Sequence, residues 1–182
     1  MTTTKDMIAR QQPLASGFGY RTTAAEVLAG HDLAGRTAIV TGGYSGLGLE
    51  TVRALASAGV AVTVPARRPD AAAAALADLP GVSVLPMDLG DLDSVAAFTA
   101  GWCAAGTSID LMINAAGVMA SPFALTPQGW ESQFGTNHLG HFALVAGVAH
   151  LLADGGRVVA YSSTAHYRSP VRFDDINFAH TP

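Results

Sequence analysis

Thr41-Gly42-Gly43-Tyr44-Ser45-Gly46-Leu47-Gly48 is the stretch whose residue types most directly suggest a ligand. Glycines at Gly-x-x-x-Gly-x-Gly spacing let a backbone turn tightly and approach a bound group, and the free N–H groups of a following helix favour an anion. The chemistry implied is phosphate binding; the alternative is an ordinary turn from strand to helix. The spacing also differs from the Gly-x-Gly-x-x-Gly of the commonest dinucleotide fingerprint. Four further groups could carry chemistry: Arg67-Arg68, Asp88, Asn114-Ala115-Ala116-Gly117 and Ser162-Ser163. Other candidates read more plainly. His138 and His141 lie three apart without a carboxylate or cysteine at ligand spacing, so helix packing is expected and no metal site. Cys103 is expected mid-helix with no basic residue adjacent in the sequence to activate it. Adjacent Asp174 and Asp175 point apart and read as loop solvation, while Trp102 and Trp130 read as packing residues.

The elements that must position these groups follow from the hydrophobic pattern. Thr37–Val40 is short, β-prone and uncharged, as expected of a buried strand. After the glycine stretch, Leu49, Val52, Leu55 and Ala56 share one helical face. Residues 1–20 read as an arm, and Thr23-Ala24-Ala25-Glu26 has capping-box spacing for a short helix stopping at Gly30. Further strands are expected over 60–64, closed by Pro65, then 82–85, 109–113 and 157–161. Helices are expected over 71–77, 91–105 and from about Gln128 to Leu152, with a turn at Gly155-Gly156 before the last strand. Strands alternating with helices imply a parallel sheet with helices on both faces, whose ligands sit at the carboxyl ends of the strands. Every chemistry-bearing group named above falls at such an end.

Composition bounds the rest. With 182 residues, 49% hydrophobic and 13% charged, the chain can bury one substantial core and is not disordered. Ten basic against fourteen acidic side chains leave a net charge of −4, with no basic face for nucleic acid. A single cysteine makes no internal disulfide, and Met1–Gln12 lacks the apolar core of a signal peptide. The longest apolar stretch, Phe142–Leu152, is interrupted by His150 and too short to span a bilayer. A soluble cytoplasmic protein without membrane partners is the expectation.

Taken in order, Thr-Gly-x-x-x-Gly-x-Gly, Asp88-Leu89, Asn-Ala-Ala-Gly, Thr136-Asn137-His138-Leu139-Gly140-His141-Phe142 and Arg-Val-Val-x-x-Ser-Ser resemble the short-chain dehydrogenase/reductase family. The resemblance covers about residues 33–170. Ser162-Ser163-Thr164-Ala165-His166 and Phe173-Asp174-Asp175-Ile176-Asn177-Phe178 are similar to its retinol-dehydrogenase-like branch. It implies an α/β fold with a Rossmann-like doubly wound parallel sheet, of which the first five strands are present. The domain plan is an arm and short helix over 1–32 and an NADP-binding domain over 33–182, incomplete at its carboxyl end.

The resemblance also implies roles. Gly42, Gly46 and Gly48 would hold a pyrophosphate, with Ser45 and Leu47 adding loop contacts. Asp88 would contact adenine and Leu89 line its pocket, while Asn114, Ala115 and Gly117 would flank ribose and nicotinamide. As catalytic residues, Asn137 would support a proton-relay water and Ser163 would hydrogen-bond the reacting oxygen. His166 would lie near the site's mouth, either in a substrate loop or simply at the surface. At the end of the second strand, NAD binders carry an acid and an arginine accommodates a 2′-phosphate. Arg67, with no acid before Asp70, favours NADP(H) over NAD(H); the alternative is that both arginines only solvate the loop. The implied activity is hydride transfer between NADP(H) and a small apolar alcohol, aldehyde or ketone, in a protein that pairs through the helix around Gln128–Leu152.

One departure is large. The family's base is a tyrosine with a lysine four residues on, and Lys5 is the only lysine here. Tyr20, Tyr44, Tyr161 and Tyr167 are followed at that spacing by Ala24, Gly48, Ala165 and Val171. An unassisted phenol, with a pKa of about 10, is a poor base at neutral pH. The chain therefore reads as the cofactor-binding front of a reductase, completed by another segment or truncated. The alternative is a nucleotide-binding module without catalysis.

Overall fold

The structure, a computed structural model, describes residues 15–164 and 169–180; His166 and Tyr167 lie outside the described residues, as does most of the expected arm. Helix α1 (Ala24–Leu28) begins with a capping box in which Thr23 and Glu26 satisfy each other's backbone N–H groups. Five strands follow: β1 (Thr37–Thr41), β2 (Ala61–Ala66), β3 (Val82–Pro86), β4 (Ile109–Asn114) and β5 (Leu152–Ala160). Between them run α2 (Gly46–Ser57), α3 (Pro69–Leu76), α4 (Leu92–Ala105) and a composite helix from Ser132 to Leu151. All strands pair in parallel in the order β3-β2-β1-β4-β5, a Rossmann-like α/β sheet. The chain winds outward from β1 to β3, then crosses back to β4. The order thus reverses beside β1, where open α/β sheets form their ligand crevice.

Alternation along β1 explains the two helical layers. Ala38 and Val40 pack with Val52, Leu55 and Leu76 of α2 and α3 on one face. Ile39, one residue out of phase, packs with Val95, Phe98 and Trp102 of α4 and with Leu144 and Val148 on the other. Ala38, Ile39 and Val40 are wholly buried. Burying a branched side chain is worth about 1.5–3 kcal/mol, so this register resists slipping.

Three elements differ from expectation. Strand β2 continues through Pro65 to Ala66. The reason is directional: Ala61 N donates to Arg36 O and Val62 N to Gly81 O, so odd positions face β1. Pro65, lacking a donor on that side, ends the β1 ladder at Ile39↔Thr63 while β2 and β3 stay paired through Ala66↔Pro86.

The last long helix starts at Ser132, after Glu131 caps Gln133 and Phe134 through its carboxylate, not at Gln128. Residues 126–130 form a turn instead, with Gly129 at φ 83°. This helix changes pitch three times: α5 (Ser132–Phe134), a wide π segment (Gly135–Gly140), α6 (His141–Val148) and a tight 3-10 turn (Ala149–Leu151).

Leu152 belongs to β5, and the expected Gly155-Gly156 turn is an irregularity inside that strand, between Ile109↔Leu152 and Leu111↔Arg157. Among the described residues, no helix is long and apolar enough to cross a membrane.

Candidate functional site

A cleft of about 370 Å³ opens at the carboxyl ends of β1 to β4. It is lined by Gly42, Ser45, Gly46, Leu47 and Gly48 from the glycine loop, with Tyr44 beside them. Arg67 lies after β2, Asp88 and Leu89 after β3, and Ala115 and Gly117 after β4. The fold thus gathers ten of the thirteen site residues expected from the sequence. Asn114, Asn137 and Ser163 do not line it. Asn114 is 7% exposed at the last position of β4, Asn137 lies in the π segment, and Ser163 is exposed three residues beyond β5.

The glycine loop is shaped by close approach. Gly42 takes φ 66°, and a Cβ there would lie 2.8 Å from Ala116 Cα. A Cβ on Gly48 would sit 2.3 Å from Gly42 O. Real Cβ atoms do not approach so closely, so only glycine lets the backbone pass this near to Ala116 and to the start of α2. Ser45 precedes that helix without a capping bond from its own side chain, so that side chain satisfies none of the first-turn N–H groups. Arg67 is exposed and makes no ion pair among the described residues. Asp88 is held by Gly90 N, which donates to its Oδ1 at 2.8 Å, while Asp88 N donates to Ser94 Oγ at 2.9 Å.

The far wall is a closed ring of hydrogen bonds. Ala115 N and Ala116 N donate to Thr41 Oγ1 at 3.0 and 3.1 Å. Thr41 Oγ1 lies 2.9 Å from His141 Nε2, and His141 Nδ1 lies 2.9 Å from the Asn137 carbonyl. The Asn137 side chain returns to the wall, with Val118 N donating to Oδ1 and Nδ2 donating to Val118 O, both at 2.8 Å. Sequence reasoning missed this ring. It reads the two histidines together as helix packing, whereas they differ. His138 stacks on Phe134 at 5.3 Å, and buried His141 is bonded at both ring nitrogens. The available signal was the spacing of Asn137 and His141, four apart, which puts a side chain beneath a carbonyl one turn back. Thr136, Val118 and Tyr161 also line the cleft, and the Tyr161 hydroxyl lies 3.1 Å from Thr51 Oγ1 at its mouth.

Burial holds the His141 pKa below the usual 6.5, with the charge of His138 adding to the effect and the bond to the Asn137 carbonyl opposing it. An unfolded chain then takes up this proton before the folded one does. The contribution is fully present above about pH 6.5 and is lost as pH falls towards the lower folded value. Urea unfolding across a pH series should show the midpoint falling below about pH 6.5, and His141→Gln should remove that component.

Among the described residues, no group of three or more His, Cys, Asp or Glu is placed to hold a metal. A family model described as "short chain dehydrogenase" matches residues 36–172. The chain belongs to the short-chain dehydrogenase family. Its relatives include the Streptomyces lividans protein named "Probable oxidoreductase", 47% identical over 159 residues, 83% of this chain and 52% of that protein. Bos taurus retinol dehydrogenase 12 is 37% identical over 152 residues, 79% of this chain and 48% of the relative. This family member thus spans about half the length of the curated relatives it matches. Among solved structures, an uncharacterized protein from Mycobacterium paratuberculosis superposes with a TM-score of 0.78 at 42% identity, covering 87% of this chain and 56% of that one. The Pseudomonas aeruginosa RhlG/NADP active-site complex gives 0.60 at 25% identity, covering 74% and 57%.

Proposed function

We propose that this chain forms the cofactor-binding part of an NADP(H)-dependent oxidoreductase that interconverts an apolar alcohol with its aldehyde or ketone. The observation that carries this reading is the convergence of the glycine loop, Arg67, Asp88 and the Ala115–Gly117 wall on one cleft. The residues fit a dinucleotide. The Gly42–Gly48 backbone turns too tightly for a side chain at either glycine, and buried Asn114 Oδ1 has no hydrogen-bond partner among the described residues. The bound nicotinamide supplies or accepts the hydride.

The chain's own residues bind and orient. Gly42, Gly46 and Gly48, with Ser45 and Leu47, hold the pyrophosphate, Arg67 takes the 2′-phosphate, and Asp88 with Leu89 receives the adenine. Asn114, Ala115 and Gly117 flank ribose and nicotinamide. Ser163 hydrogen-bonds the reacting oxygen, and Asn137 holds a relay water. An apolar cavity of about 510 Å³, lined by Phe123, Phe134 and Phe178 and reaching Asn137, supports an apolar substrate. Exposed Phe142 on α6 supports pairing of two copies through that helix. One structural neighbour is an NADP complex, which supports a nicotinamide cofactor and leaves the phosphate preference to Arg67. A cytoplasmic location accords with the single cysteine.

A second reading is a nucleotide-binding module without turnover, favoured because no tyrosine in 1–182 has a lysine four residues on. Fluorescence titration separates the steps: NADPH should bind at least about tenfold more tightly than NADH, the effect of roughly one charge-assisted hydrogen bond. Equal affinities would remove the NADP(H) assignment. Conversion of an alcohol or carbonyl substrate by the 182-residue chain would exclude the module.

A further inference from the structure

We infer that His141 is a positioning residue of the cleft: held as the neutral Nδ1–H tautomer, it fixes the Thr41 hydroxyl that anchors the Asn114–Gly117 wall. The Asn137 carbonyl can only accept, so the Nδ1 that faces it at 2.9 Å carries the proton. In the neutral ring Nε2 is then an acceptor, and its partner at 2.9 Å, Thr41 Oγ1, donates its hydroxyl proton. That commits the proton and leaves both oxygen lone pairs to receive Ala115 N and Ala116 N. Each donor and acceptor is used once.

The alternatives fail at named atoms. The Nε2–H tautomer turns a lone pair of Nδ1 against the Asn137 carbonyl. It also directs a third donor at Thr41 Oγ1, whose own proton loses its acceptor. The imidazolium keeps the Asn137 bond and creates the same excess of donors at Thr41. Only one protonation pattern satisfies the ring, and a fully satisfied buried network is rigid. His138 is the titratable group whose charge bears on His141. From β1 and the end of β4, the ring is met by Thr41 and, through it, by backbone amides. Because Val118 closes the circuit through Asn137, hydrogen bonds tie β1, the wall after β4 and the composite helix together.

The affinity arm of the test rests on the cofactor reading above, whereas the tautomer is read without cofactor. In ¹⁵N-resolved NMR of the 182-residue chain, His141 should show the Nδ1–H tautomer unchanged from about pH 8 to about pH 6, across the range in which an ordinary imidazole gains its proton. An Nε2–H tautomer, or protonation within that range, overturns the proposal. His141→Leu and Thr41→Val should each weaken NADPH binding about tenfold, the scale of one buried hydrogen-bonding group left unpaired, and the double variant no further. Thr41→Ser should recover most of the loss. Leu144→Ala, which empties the core three residues away, should lower the unfolding temperature and leave NADPH affinity unchanged. If it weakens binding as much as His141→Leu does, loosening of α6 explains the effect and the proposal falls. A wild-type chain that binds no NADPH overturns the cofactor reading, and the tautomer alone then decides the role of His141.

Discussion

Gly48→Ala should severely weaken NADP(H) binding while leaving the chain folded. The added methyl would stand 2.3 Å from Gly42 O and 2.8 Å from Gly42 C, roughly 1 Å inside normal contact. Gly42 cannot retreat freely, because Ala116 N and Cα already crowd its side-chain position at 2.9 and 2.8 Å. The loop must open away from the start of α2, which moves the N–H groups that would face a pyrophosphate. Overpacking of this kind costs about 1–3 kcal/mol, a fraction of the stability of an ordinary domain. Calorimetric titration should therefore show NADPH affinity down by at least about a hundredfold, the combined effect of roughly two charge-assisted hydrogen bonds. Urea unfolding should still give one cooperative transition. NADPH binding of wild-type strength in this variant would exclude the loop as the phosphate cradle.

The second large effect concerns choice between cofactors. Arg67→Ala should weaken NADPH by roughly 10- to 150-fold and leave NADH almost untouched, since a charge-assisted bond to phosphate is worth about 1.5–3 kcal/mol. Arg67 lines the cleft and has no ion pair among the described residues, so its removal leaves no carboxylate stranded. An equal loss for both cofactors would mean that Arg67 acts on a feature they share. Arg68 supplies a comparison within the same loop: it precedes α3 and does not line the cleft.

Much of this architecture is legible in the sequence because its signals are local. The Thr37–Val40 run, the glycine loop and the Val52/Leu55 face each declare themselves within a few residues, and their chain order imposes the parallel sheet. Three boundaries escape because they depend on distant partners. Pro65 reads as the end of β2, yet the missing N–H faces β1, and β3 holds the strand for one more pair. Glu131, unremarkable in sequence, sets the start of the composite helix through two backbone bonds. The Gly155-Gly156 pair reads as a turn and is absorbed into β5 by pairing with β4. At the site, the loops reveal themselves through glycine and strand-end chemistry. The Thr41–His141 contact joins residues a hundred positions apart, and no local pattern announces it.

The position of β1 also bears on how the chain is made. Its two edges are completed at very different times, because Thr37 pairs with Ala61 and Ala38 pairs with Leu111. During synthesis the partners of β1 in β2 are made well before those in β4, so the Ala38–Val40 edge stays open to strays until β4 emerges. Long-range parallel pairing of this kind is slow, and unpaired edges invite aggregation. Dinucleotide cannot rescue that interval, since the Ala115–Val118 wall of its cleft has not been translated. A ligand that stabilises the finished molecule is therefore no chaperone for the nascent one, and yield on expression should depend on speed past β4 more than on cofactor supply.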